Sequence, residues 1–312
     1  MGSAYHDLPQ QPASPRDRSG SGSGSSYSSR SSSASFEAAG QQGLDSEGEA
    51  LAYSRSQDSL HNSLLDALCA GNLDITRHLL STGAPILRNT PTRILSAPPA
   101  QQIPLFELFT QYGWTPNTPG FYGTVLLPKV VTNLPLLQWF LEHGADPNLG
   151  KQRNNRDRMG TSDTDSCAAL ATAAATGSLE AVRLLLDAGA QVQNGAPLHS
   201  AAGACPPGTP AGAQLNAGVI SSKVFDTSRI PVMALLVEHG ADVNQAEDSH
   251  YVLAQYPIVY ATMAGAVERV KWLLAHGADP EAKGGFGSAI EYAKWRGSTE
   301  MKRVLGIPVD TL

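Results

Sequence analysis

The sequence predicts an all-α solenoid of about seven stacked helix pairs with hairpin-loop fingers, preceded by a disordered tail. Three observations lead to this fold class. One phrase closing on a glycine keeps returning from Ser59 onward, short amphipathic patterns lie between paired glycines, and residues 1–58 hold few large apolar side chains. The boundaries are therefore an arm over 1–58 and a repeat domain over 59–312.

In the arm, SGSGSSYSSRSSSAS (Ser21 to Ser35) precedes the acidic QQGLDSEGEA (Gln41 to Ala50). Such a segment buries too little apolar surface to offset its ordering entropy. Ser14 before Pro15, Arg30 before Ser31 to Ser33, and Arg55 before Ser56 and Ser59 form kinase-like contexts, although a serine-rich tail produces these by chance. Met1-Gly2 invites a myristoyl group, but the sixth position, where Ser or Thr is favoured, is His6.

The returning phrase reads LLSTGAPI (Leu79 to Ile86), FLEHGADPN (Phe140 to Asn148), LLDAGAQVQ (Leu185 to Gln193), LVEHGADVN (Leu236 to Asn244) and LLAHGADPE (Leu273 to Glu281), with a weaker copy in LFTQYGWTPN (Leu108 to Asn117). Twelve residues before three of its glycines stands another: Gly71 before Gly83, Gly177 before Gly189 and Gly265 before Gly277. One short helix fits between each pair. Leu179, Val182, Leu185 and Leu186 fall on one face of the helix between Gly177 and Gly189, and Val267, Val270, Leu273 and Leu274 repeat the pattern. The closing glycine supplies the left-handed residue that ends a helix. Upstream lie alanine-rich helices, NSLLDALCAG, AALATAAATG and PIVYATMAG, whose small side chains let neighbouring units approach. A pair of such helices leaves an apolar face uncovered, so each unit needs the next.

These residues resemble the ankyrin repeat, whose unit of about 33 residues has a TPLHxA opening, a Gly between two antiparallel helices and a GAD(V/I)N exit into a hairpin finger. The resemblance covers residues 59–307, and the nearest opening is GAPLHSAAG, Gly195 to Gly203. It implies that His199 bonds to nearby backbone and that Gly287 to Gly306 form a polar capping unit. The composition also looks like that of fungal proteins of this kind.

Four departures from the pattern stand out. Pro98, Pro99 and Pro104 interrupt one helix and Pro128 sits inside another, which predicts irregular units there. The loop from Asn148 to Ser166 is about ten residues longer than a hairpin finger. The finger from Gln245 to Gln255 is lengthened less, and an insertion over 204–229 divides the fifth unit.

A formal charge of −6 and a pI near 5.7 argue against general nucleic-acid or membrane affinity. No apolar run is long enough to span a bilayer, and the N-terminus lacks signal-peptide order, which points to the cytoplasm or nucleus. Cys69, Cys167 and Cys205 form no CxxC pair and read as small buried side chains. His143, His239 and His276, one per unit in xHGA, suit helix C-termini rather than a metal or acid–base site, and Asp146, Asp242 and Asp279 suit turns. With no HExxH, GxSxG, Walker loop or GxGxxG after a strand, the reading is no catalytic residue, no metal and no cofactor.

The resemblance instead implies a monomer that binds one or more proteins through the concave surface, without direct nucleic-acid or membrane contact. Candidate partner-binding residues are Arg153, Arg156 and Arg158 on the long finger, His250 and Tyr251 on the later one, and Trp295 with Arg296 on the capping helix. A solvated loop balanced by Asp157, Asp163 and Asp165 is the competing reading of the arginines. Trp139 and Trp272 are expected to pack among the second helices. Two roles fit: an adaptor or transcriptional co-regulator, and an inhibitor that occludes an enzyme's active site.

Overall fold

The computed structural model describes residues 54–176, 178–210, 222–247 and 254–309. The expectations for the serine-rich arm, and for His250 and Tyr251, lie outside the described residues. Residues 54–58, placed with the arm by composition, are already helical.

Among the described residues seven helix pairs follow one another. They are α1 (54–70) with α2 (Leu73–Ser81), a 3-10 segment (Thr90–Ser96) with α3 (Pro99–Thr110), and α4 (Leu127–Val130) with α5 (Leu134–Glu142). Then come α6 (Ala168–Thr176) with α7 (Leu179–Asp187), α8 (Pro197–Ala202) with α10 (Ile230–Glu238), α11 (Pro257–Ala264) with α12 (Val267–Ala275), and α13 (Ala289–Arg296) with α14 (Thr299–Val304). An additional short helix, α9 (Lys223–Ser228), lies in the fifth unit's insertion. First helices stack as α4, α6, α8, α11 and α13, and second helices as α5, α7 and α10, then α12 and α14. The core runs between these layers: Leu137, Val182, Leu185, Leu236, Val270 and Leu273 are each fully buried. Full burial of one such side chain contributes about 1.5–3 kcal/mol.

The early units are irregular, with a 3-10 segment as the second unit's first helix and only four residues in α4, but the prolines do not break α3. Pro98 and Pro99 occupy the cap and first position of α3, where no amide hydrogen is required, and Pro128 is the second residue of α4. Pro104 does lie inside α3, yet the helix continues because it is held by Leu105, Phe106, Leu108 and Phe109, all buried. Phe106 meets Trp114 at 5.1 Å and Phe140 at 5.0 Å, tying the second unit to the third. Trp139 is buried as expected, and Trp272 is half-buried against the core.

Between units the GADxN exits form a ladder of clasps. Asn117 donates to Gly144 O and accepts from Asp146 N, Asn148 does the same with Gly189 and Gln191, and Asn244 with Gly277 and Asp279. Each asparagine thus closes on the turn of the next unit. Within those turns Asp146, Asp242 and Asp279 each accept from the amide two residues on, at 2.8 Å. The histidines donate Nδ1–H to the carbonyl one turn back, His143 to Trp139, His239 to Leu235 and His276 to Trp272. Two of the rings also stack on their tryptophans, at 4.0 and 3.8 Å.

Second helices begin with a side-chain cap at Asn72, Asn133, Ser178 and Ser298. In α12 the cap position is Ala266, which has no acceptor. Asp226 of α9 takes over this role, accepting from the amides of Glu268 at 2.6 Å and Arg269 at 3.3 Å. It also accepts from Arg269 Nε at 2.8 Å, while Arg269 Nη1 donates to Ala201 O and Ala202 O at the end of α8. Asp226 is 3% exposed and Arg269 0%. The pair joins the inserted helix, the end of α8 and the start of α12. Removing one member of a buried pair strands the other, so Asp226→Ala is expected to lower unfolding stability by about 3–5 kcal/mol. Asp226→Asn, which keeps the acceptor oxygen, should cost less. Denaturant unfolding of the two variants checks the order.

Candidate partner-binding surface

The long finger is a built element. Gly150 and Asp163 exchange two backbone hydrogen bonds of 3.0 Å across its base. Inside it the buried Gln152 donates to Thr161 O and accepts from Asp157 N. The finger also lies along the loop before α4: Gln152 N bonds to Tyr122 O at 2.9 Å, Tyr122 N to Arg158 O at 2.8 Å, and Ser162 Oγ to Gly123 O at 2.7 Å. Gly123, at φ +72°, is needed here because a Cβ would stand 2.4 Å from Thr161 O. Arg88 ties the assembly from the second unit, donating to Gly120 O and Gly160 O at 3.1 Å each and to Met159 O.

The predicted arginines differ in their surroundings. Arg153 pairs with Asp165 at 2.8 Å, both exposed, a contact worth at most about 1 kcal/mol. Arg158 lies over the Phe121 ring, 4.5 Å from its centroid, and Arg156 is exposed with no bonded partner among the described residues. Asp163 and Asp157 accept from the amides of Arg153 and Met159. Two of the three balancing carboxylates therefore hold the loop's shape rather than an arginine. Met159 stands 57% exposed beside them.

At the other end of the array Trp295 is 71% exposed, the Arg296 guanidinium sits 4.0 Å from its ring centroid, and Tyr292 meets it edge-on. The structure does not bring this pair to the long finger's arginines in one cluster: they belong to the seventh unit and to the loop between the third and fourth.

A third feature was not singled out in the sequence. A cavity of 540 Å³ opens where α6, α8 and α11 line up, walled by Tyr260, Met263 and Phe286 and floored by the small residues Ala175, Gly203 and Ala204. The Tyr260 hydroxyl donates to Glu247 Oε2 at 2.6 Å. Burial and the neighbouring Glu247 carboxylate both push the phenol above its ordinary range, so it stays protonated. His199 reaches Gln245 O and Gln255 O through Nε2, each at 2.9 Å, so it spans the base of the following finger rather than its own turn. Its Nδ1 is buried without a partner, and Ala196 at the cap of α8 offers no hydroxyl.

The cysteines are free thiols, and burial pushes Cys167 up to about 12. Among the described residues no group of His, Cys, Asp and Glu is arranged to hold a metal, and no helix is long and apolar enough to cross a membrane.

Residues 255–285 match the ankyrin repeat family model. The structure resembles the crystal structure of the human ASB11 ankyrin repeat domain, with a TM-score of 0.51 and 17% identity over 80% of this chain and 99% of that one. The fold is that of an ankyrin-repeat domain. Comparison with curated proteins gives no match. Ankyrin repeats are generally protein–protein interaction modules, and the fold is generally a non-catalytic scaffold.

Arg88, Asp226, Arg269, Glu247 and Tyr260 were missed by sequence reasoning. The one local signal was Ala266 in GAVER, where four of the other second helices open with Asn or Ser.

Burial holds the His199 imidazole below its ordinary 6.5. The unfolded chain therefore takes up a proton first on acidification, and the stability contributed by neutral His199 is full above pH 6.5 and falls below it. Ala196→Thr, which adds a helix cap beside Nδ1, is expected to raise stability by about 1 kcal/mol. His199→Gln should destabilise at about pH 7 and less at about pH 5. Thermal or urea unfolding at the two pH values tests both.

Proposed function

We propose that this chain is a non-catalytic adaptor that holds a partner protein on its ankyrin surface, with a role in transcriptional co-regulation among those it suits. The observation that supports this best is the pre-ordered long finger. A loop of this length loses much freedom when it binds, and here that freedom is already lost on folding through Arg88, Gln152 and the Tyr122 backbone. What it presents is Arg156, Arg158 and Met159, a combination suited to carboxylates flanked by apolar side chains. Trp295 under Arg296 offers a second anchor of the kind enriched at interaction hot spots. Arg153 serves mainly to hold Asp165, and His250 and Tyr251 are kept as candidates on sequence grounds alone.

The test is affinity capture with mass spectrometry from the native cell, comparing wild type with Arg156→Ala/Arg158→Ala and, separately, Trp295→Ala/Arg296→Ala. Loss of a specific partner in either pair is the expected result, by tenfold or more if a hot spot has been removed. Retention in both, and in a form also changed at Arg153, His250 and Tyr251, would overturn the assignment of these surfaces.

A further inference from the structure

We infer that the cavity beside His199 is a recognition pocket for one basic side chain, arginine or lysine, carried with an apolar neighbour on the partner's bound segment. The inference rests on the interaction reading above and names what one point of that surface selects.

Charge decides the class of occupant. Among the described residues Glu247 is the one formally charged side chain in the lining, and no lysine or arginine faces the cavity. Tyr260 occupies Oε2 and fixes the carboxylate, while Oε1 makes no hydrogen bond among the described residues. The tyrosine's proton is already donated, so it offers nothing to an incoming carboxylate. A cation is favoured further by the carbonyl end of α6, which closes at Thr176 in the wall. Arg269 does face the carbonyls of Ala201 and Ala202 from the core side, but Asp226 offsets its charge.

Shape and polarity agree with charge. Tyr260 and Phe286 give aromatic surface of the kind that attracts guanidinium and ammonium groups, and Phe286 is 44% exposed, unusual for its type. Most of the remaining wall is apolar, made by alanines and Met263, and so suits an alkyl stem. The volume of 540 Å³ exceeds what one side chain fills, which is why an apolar neighbour enters with it. His199 is also in the lining, and its Nε2 carries the proton that it donates to Gln245 O and Gln255 O, which leaves Nδ1 an unpartnered acceptor. A negatively charged or purely apolar occupant would leave Glu247 either opposed or stripped of water without a partner.

Methionine methyl resonances offer a direct readout. The chain has five methionines, and Met263 lines the cavity, Met159 stands on the finger, and Met233 and Met301 are in the core. Full-length protein labelled with [13C-methyl]methionine would be titrated with acetyl-Leu-Arg-Leu-amide, its lysine counterpart, the uncharged citrulline isostere and the glutamate peptide. The expected result is a saturable shift of the Met263 methyl with Arg or Lys, with citrulline and glutamate peptides binding at least about tenfold more weakly. Glu247→Gln, which keeps an oxygen for Tyr260, should erase the advantage of arginine over citrulline while Met233 and Met301 stay in place. Phe286→Ala should weaken the basic peptides several-fold. A Met263 signal that no peptide moves, equal binding of arginine and citrulline, or an unchanged preference in Glu247→Gln would each defeat the proposal. Because capture reads the finger and Trp295 while this titration reads Met263, either reading can fail without the other.

Discussion

The rest of the molecule depends on one constraint: a pair of short helices cannot hide its own apolar face. Every unit must present that face to the next, and the chain meets the requirement with small residues where the first helices cross. Ala169, Ala173 and Ala174 in α6, Ala201 and Ala202 in α8, and Ala261 and Ala264 in α11 are all fully buried. On the second-helix side the buried residues are bulkier: Leu185, Leu236 and Leu273. The cavity beside His199 follows from the same economy of volume, because its floor is Ala175, Gly203 and Ala204. A Cβ on Gly203 would already stand 3.2 Å from the Tyr260 ring.

An insertion inside a unit threatens that stacking, and Asp226 with Arg269 is how this chain absorbs one. The inserted α9 packs on both α10 and α12, where an uninterrupted array would set one second helix against the next. Two costs arise there: the capless start of α12 and the open carbonyls that end α8. One ion pair meets both, since Asp226 covers the amides and Arg269 the carbonyls. Arg269 Nη2 is left without a partner, so the pair is an imperfect solution in energy. Its directional bonds nevertheless fix α8 relative to α12, and α8 forms one wall of the cavity.

Much of the array was legible because it is written in local residues. Gly71, Gly83, Gly265 and Gly277 take positive φ where the spacing of the phrases requires a turn, and Asp146, Asp242 and Asp279 close their turns through atoms two residues away. The irregularity of the early units was legible in their prolines, but the place of each proline in its helix was not. Proline breaks a helix from within but begins one well, and composition alone does not say that Pro98, Pro99 and Pro128 lie at starts. For the candidate site the finger's length and its arginines could be read directly, but its order could not. Arg88 reaches Gly160 across 72 residues and Asp226 meets Arg269 across 43, and no periodicity links positions so far apart. The Tyr260–Glu247 pair escaped for a related reason, because each residue alone reads as an ordinary surface side chain.

Order in the finger and charge in the cavity act on binding in different ways. A staple such as Arg88 changes no contact with a partner; it removes conformations that binding would otherwise have to select against, and so raises affinity for any ligand of the right shape. Glu247 adds nothing to a neutral ligand and disfavours an anion, so it separates partners rather than strengthening all of them. A stack whose backbone geometry is shared across unrelated sequences needs the second kind of element to choose among proteins. In the proposed pocket that choice falls to Glu247, and burial, which lowers the pKa of the neighbouring His199, keeps a positive charge from forming beside it at neutral pH.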